Sequence, residues 1–189
     1  MASDIDKPLV SVIVPMYNVG MFALPCVNSL LGQTYSNIEY IIVDDGCTDN
    51  TIDLIEDAVG SDTRFKILHK ENGGLSSARN FGTQRCHGDY VMYVDGDDLI
   101  DSRTVELMVE AADKYQVPLV IGSFAKTPVL DNYKIGQNVE FHVESGIEHF
   151  RKLLLLTGES GSACGKLFER SLISLSLIHI SEPTRPLYI

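Results

Sequence analysis

Residues 90–99 read Tyr-Val-Met-Tyr-Val-Asp-Gly-Asp-Asp-Leu, an apolar run that breaks into the carboxylates Asp95, Asp97 and Asp98. A second run does the same upstream, where Tyr40-Ile-Ile-Val43 ends in Asp44-Asp-Gly46. Carboxylates crowded at the end of a buried strand repel one another, so they cost stability unless a cation or hydrogen-bond donors balance them. Such a cluster can hold a divalent cation together with the phosphate that accompanies it; for Mg²⁺ or Mn²⁺, one or two carboxylates plus a diphosphate suffice. Two more polar segments follow apolar runs: Pro15-Met-Tyr-Asn18 and His69-Lys-Glu-Asn-Gly-Gly74. In the latter, Asn72-Gly73-Gly74 before a helix would offer backbone N–H groups to an anion.

Other chemistries fit less well. As a calcium loop, Asp95, Asp97 and Glu106 would take the first, third and twelfth positions, but Leu99 and Ile100 stand where a ligand and a glycine belong. No Gly-Lys-Ser/Thr follows the paired glycines, no G-x-G-x-x-G occurs, and there is no G-x-S-x-G elbow. A plain Asp-Gly turn at residue 95 would need a following strand, whereas Leu99 and Ile100 lead into a capped helix. Asp44, Asp45, Asp95 and Lys126 echo a phosphorelay receiver, a signalling module, yet a receiver's acid pair ends its first strand and here a strand ending at Val14 comes earlier. His69, His87, His142 and His149 have no partner at metal-ligand spacing and read as surface residues. On spacing alone, Arg79 either reaches the acidic rim or is a solvated helical residue, and Tyr17 either stacks on a nucleobase or covers the sheet edge.

The elements that must position these residues alternate. Strands are predicted at Leu9–Val14 (closed by Pro15), Ile38–Val43, Phe65–Leu68, Tyr90–Val94 and Leu119–Gly122. Between them, helices are predicted at about Phe22–Leu31, from a Thr48 or Asp49 cap to Val59, from Gly73-Gly74 to about Arg85, and at Thr104–Tyr115 behind a Ser102 cap. This rhythm implies an α/β fold with a mostly parallel sheet covered on both faces. Ligands of such sheets bind beyond the carboxyl ends of the strands, where all four polar clusters would meet. After Ser123 the chain turns polar, with an edge strand predicted at Val139–Val143 and a helix at Gly146–Leu156.

The 189 residues suit one domain, and 44% hydrophobic with 22% charged is a globular composition. A net charge of −11 with no basic block disfavours nucleic-acid binding. Cys26, Cys47, Cys86 and Cys164 lack zinc spacing and read as reduced thiols. The N-terminus is polar and acidic, unlike a signal peptide, and no stretch reaches the roughly 20 apolar residues of a membrane span. A cytoplasmic protein is expected, with any membrane association supplied by sequence outside this chain. Leu175-Ser-Leu-Ile-His-Ile-Ser-Glu-Pro-Thr-Arg185 matches the translation of a transposase adapter used for sequencing libraries, so residues 175–189 are expected to be a non-native tail.

Val10-Ser-Val-Ile-Val-Pro-Met-Tyr-Asn18, Val43-Asp-Asp-Gly-Cys-Thr-Asp49, Asn72-Gly-Gly-Leu-Ser-Ser-Ala-Arg-Asn80 and Val94-Asp-Gly-Asp-Asp98 resemble, in order, the motifs of the family 2 glycosyltransferases. The resemblance runs over about Pro8–Arg170. It implies a GT-A fold, Rossmann-like, with a nucleotide-diphosphate sugar as donor, usually UDP-linked. It further implies inverting, Mn²⁺- or Mg²⁺-assisted transfer to a saccharide or lipid-linked acceptor, as in bacterial polysaccharide synthesis. Carried over, Pro15, Tyr17 and Asp45 hold the base, and Asn18 belongs to the same donor-binding set. Arg79 lies near the base and diphosphate. Asp95 and Asp97 are the acids of the D-x-D motif, Asp97 the foremost metal ligand and Asp95 closer to the ribose or sugar. Residues 1–123 then form the donor-binding half and 124–174 the start of the acceptor-side half. Cys47 stands where the family usually has Ser, an exchange expected to be tolerated. Ala163–Arg170 resembles the stretch before the family's Glu-Asp motif, whose Asp is the usual catalytic base. No such motif follows, so the base is expected beyond residue 174 and none is assigned. A catalytically silent nucleotide-sugar binding module is the alternative.

Overall fold

The computed structural model describes residues 7–123 and 162–174. The strand predicted at Val139–Val143 and the helix at Gly146–Leu156, like the tail at 175–189, lie outside them. Among the described residues, strands β1 (Val10–Met16), β2 (Ile38–Asp44), β3 (Phe65–His69), β4 (Tyr90–Tyr93), β5 (Leu119–Ile121) and β6 (Lys166–Glu169) form one sheet in the order β3-β2-β1-β4-β6-β5. β1 to β4 are mutually parallel, and β6 runs antiparallel between β4 and β5. The helices are α1 (Ala23–Leu31, after a 3-10 turn at Gly20–Phe22), α2 (Thr51–Val59), α3 (Leu75–Thr83), α4 (Thr104–Tyr115) and α5 (Arg170–Ser174). The expected α/β sheet is the one observed. No described helix is long and apolar enough to cross a membrane.

Alternation along β1 divides two cores, because successive side chains take opposite faces. Val10, Val12, Val14 and Met16 pack with Val27 and Leu30 of α1, Ile55 of α2 and Val105 of α4. Ile13 joins Ile41, Val43, Val91 and Tyr93 against Ala78 of α3 and Ile173 of α5. Each fully buried aliphatic side chain stabilises the fold by roughly 1.5–3 kcal/mol. The α3 face is tight: a Cβ on Gly82 would lie 2.6 Å from Ile13 Cγ2, so only glycine lets this helix approach β1.

Two differences from expectation bear on the ends of elements near the rim. β1 does not stop before Pro15 but pairs onward with β2, Pro15 opposite Val43 and Met16 opposite Asp44. Ile13 O accepts from Val94 N, and Met16 O accepts from Asp45 N, so Pro15 N faces the β4 side, beyond the end of the β4 ladder. A proline costs nothing where no strand needs its N–H. At α4, Asp101 rather than Ser102 serves the helix start, its carboxylate accepting from Arg103 N at 2.9 Å.

The N-terminal ends of the strands carry a buried charge. Glu39 is 7% exposed and pairs in register with Ser11. Its carboxylate accepts from Ser11 Oγ (2.6 Å), Lys66 Nζ (2.8 Å) and His87 N (2.6 Å). Burial alone would push its carboxyl up; the donors Lys66, Ser11 and His87 outweigh it and bring it down to about 2 from 4.5. A depressed folded value means stability that is fully present above about 4.5 and lost as pH falls towards about 2. Glu39→Gln is therefore expected to lower stability at pH 7 by roughly 2–3 kcal/mol. The gap from wild type should shrink at pH 3 in chemical denaturation; an equal deficit at both pH values would refute the assignment.

Candidate active site

Because β1 to β4 are parallel, the four polar clusters do meet on one rim. They border a cleft of about 430 Å³. Pro15, Met16 and Tyr17 supply one wall, Asn72, Gly74, Leu75 and Ala78 another, and Asp45, Asp95, Gly96 and Asp97 the acidic remainder. Tyr17 borders the cleft and is 51% exposed.

Asp45 is almost wholly buried, yet it borders the cleft. Its carboxylate accepts from Lys70 Nζ, from Gly73 N at 3.0 Å and from Gly74 N at 2.8 Å. This corrects the expectation that Asn72-Gly73-Gly74 would receive an external anion. The loop's amides do point at an anion, but it is the chain's own Asp45. The start of α3 is thereby bound to the end of β2. Gly46 completes the junction: at φ +78, its added Cβ would lie 2.9 Å from Asn72 N.

Arg79 is not a solvated helical residue. Its side chain is 1% exposed, and it is absent from the cleft wall. Nη2 donates to Asp95 Oδ1 at 2.6 Å and to Cys164 Sγ at 3.3 Å. A buried guanidinium requires such a partner, and Asp95, 23% exposed, has its second face towards the cleft. Asp97 is exposed, and no Lys or Arg among the described residues pairs with it. Burial, then the neighbouring Asp97 and Asp95, push the Asp98 carboxyl up. A cation there would relieve that repulsion. Among the described residues no group of three His, Cys, Asp or Glu could hold a metal by itself. Asp97 with Asp95 offers oxygen ligands only, which fits a hard divalent cation that takes its remaining ligands from water and phosphate.

The acidic loop is held from outside the motif. Gln33, buried just after α1, donates to Asp101 O (2.7 Å) and Ser29 O (3.0 Å) and accepts from Val105 N (3.3 Å). Asn18, in the left-handed region at φ +50, bonds across to Thr48 and Asp49 rather than lining the cleft. His69 is exposed as expected but rests 2.9 Å from Asp44 Oδ2, a contact its spacing did not show. The four cysteines are free thiols. Cys47 Sγ reaches Met16 O at 3.5 Å, a bond that a Ser hydroxyl could also make. Neither Lys70 nor Gln33 stood out in the sequence. Lys70 lies inside the polar cluster of residues 69–74, and Gln33 carried no signal.

The model of the family described as Glycosyl transferase family 2 matches residues 11–172. The chain belongs to that family. The family 2 assignment also excludes the receiver arrangement, whose acid pair Asp44 and Asp45 here braces a cleft wall. EpsJ of Bacillus subtilis (strain 168), named an uncharacterized glycosyltransferase, is 46% identical over 119 residues, which are 63% of this chain and 35% of EpsJ. Solved structures share the GT-A fold. S. aureus TarS 1–349 in complex with UDP-GlcNAc has a TM-score of 0.69 at 24% identity, covering 88% of this chain and 46% of that one. The mannosyltransferase PcManGT from Pyrobaculum calidifontis, in complex with GDP-Man and Mn²⁺, has a TM-score of 0.64 at 20% identity, covering 91% and 47%. The family 2 chain described here thus spans between about a third and a half of these relatives.

Between Asp95 and Asp97, Gly96 is fixed by space. An added Cβ would lie 2.5 Å from Met16 Sδ and 3.0 Å from Pro15 O. Met16 is fully buried, so it has little room to yield. Gly96→Ala is expected to lower stability by roughly 1–3 kcal/mol through overpacking. Thermal unfolding checks this; an unchanged midpoint would show that the loop can lift off β1.

Proposed function

We propose that this chain is the donor-binding part of a glycosyltransferase that takes a nucleoside-diphosphate sugar, UDP-linked, and transfers the sugar with inversion to a saccharide or lipid-linked acceptor. One observation carries the reading. Among the described residues, the cleft wall contains Asp45, Asp95 and Asp97 but no Lys or Arg. Such a cleft takes a diphosphate only together with a cation, and its acids are arranged for that. Asp45 is neutralised by Lys70 and Asp95 by Arg79, which leaves Asp97 as the carboxylate with charge to give. The ligands held by TarS and PcManGT are of this chemical class.

In this proposal, Tyr17 and Pro15 cover the faces of the base, and Asp45 accepts an N–H from its edge. Asp97, helped by Asp95, holds Mn²⁺ or Mg²⁺. When bound, that cation supplies positive charge to the diphosphate oxygens as the glycosidic bond breaks. Arg79 keeps Asp95 facing the ribose or sugar. The acceptor hydroxyl attacks the anomeric carbon from the side opposite the diphosphate, the C–O bond to the diphosphate breaks, and the hydroxyl proton passes to a general base. No described residue is assigned that role.

Isothermal titration with UDP should show binding that strengthens when Mn²⁺ is added and weakens when it is chelated. Asp97→Ala should abolish the difference, bringing affinity to the metal-free level, a loss of about tenfold or more. Equal affinity with and without Mn²⁺ in the wild type would sink the metal role.

A further inference from the structure

Lys70 follows β3 directly, at the start of the loop into α3. Its side chain is 13% exposed and that of Asp45 is 3% exposed. The ammonium lies on Asp45 Oδ1 and also donates to Glu71 O at 2.6 Å. Asp45 and Gly74 border the cleft whereas Lys70 does not, so the cation stands behind the carboxylate it serves. Gly73 is confined by the same group, since an added Cβ would lie 2.9 Å from Lys70 Nζ. Lys70, Asp45 and the Gly73 and Gly74 amides are therefore one packed unit. Its outer surface is cleft floor and its inner surface is the ammonium.

We propose that Lys70 is a positioning residue for the donor: it cancels the charge of Asp45 from behind, so that the diphosphate approaches a floor that is acidic in composition but balanced in charge. The inference rests on the nucleotide-sugar reading above. Without Lys70, the two amides would still hold the carboxylate, but its full charge would face the ligand. Like charges within about 10 Å of each other, in a partly screened cleft, change affinity by about tenfold or more. A neutral nucleoside, whose base edge still finds an acceptor on Asp45, would sense the change less than a charged diphosphate does. Loop distortion, by contrast, would weaken nucleoside and nucleotide together.

The test titrates uridine and UDP, each with saturating Mn²⁺, into the wild-type chain and three variants, with thermal unfolding recorded for each. Lys70→Gln should weaken UDP by about tenfold and uridine by less than about threefold. Lys70→Arg should keep both within about threefold, because the charge is retained. The double variant Lys70→Gln with Asp45→Asn, which removes both charges, should return the UDP-to-uridine affinity ratio to within about threefold of wild type. Should Lys70→Gln fail to fold, the double variant and Lys70→Arg decide. Equal loss of uridine and UDP in Lys70→Gln, or a double variant whose ratio departs from wild type, overturns the role of Lys70. A wild type that binds neither compound overturns the nucleotide-sugar reading itself.

Discussion

The Arg79 guanidinium is packed beneath the carboxyl rim of the sheet, and the 2.6 Å bond to Asp95 compensates its desolvation. A lone charge at that depth would cost several kcal/mol, and the pair remains only while its geometry is kept. The direction of Asp95 is therefore set by α3, not by the loop that carries it. Everything downstream inherits that direction: Gly96 pressed onto β1, Asp97 turned into the cleft, and the stretch to Asp101 moored on Gln33. Asp45 and Lys70 repeat the scheme on the neighbouring strand. In both places the carboxylate faces the cleft and its cation stands behind. The wall is thus a layer of oriented ion pairs, with acceptor atoms outward and positive charge inward.

This layering needs the parallel sheet. Only parallel strands deliver four carboxyl ends to one edge, where a cation from α3 (Arg79) and one from the loop after β3 (Lys70) stand behind the acids. Pro15 contributes by position, since its missing N–H falls beyond the β4 ladder and leaves that side of β1 free to become wall. At the opposite edge, Glu39 gathers donors from β1, β3 and the loop before β4, so the buried charge there serves cohesion. One sheet carries charge of two kinds, exposed to ligand at one end and sealed at the other.

How much of this could be read from the residues alone varies with distance along the chain. Strands β1 to β5 were legible because their apolar runs are continuous, β2 and β4 also ending in acids, whereas β6 (Lys166–Glu169) was not predicted. The acidic rim was legible because Asp45, Asp95 and Asp97 each lie within a few residues of a strand. The burial of Arg79 was not, because its partners lie 16 and 85 positions away and helical spacing cannot tell a buried arginine from a solvated one. The Asn72-Gly73-Gly74 loop was correctly read as an anion cradle, but the anion came from a segment 28 residues earlier. The Glu39 network is hidden for the same reason: a glutamate in an apolar run gives no sign of three donors arriving from elsewhere.

The placement of β6 bears on how the chain can assemble. β5 ends at Ile121, yet its only ladder among the described residues is to β6, which begins at Lys166 and separates it from β4. The sheet cannot close in the order in which it is made: β5 must wait for a segment from some forty-five positions later, and contacts of that span form slowly. The same return brings Cys164 to Arg79. Completion of the sheet edge and completion of the guanidinium's surroundings are thus a single event, so a chain caught before it would hold four finished strands around an unfinished charge.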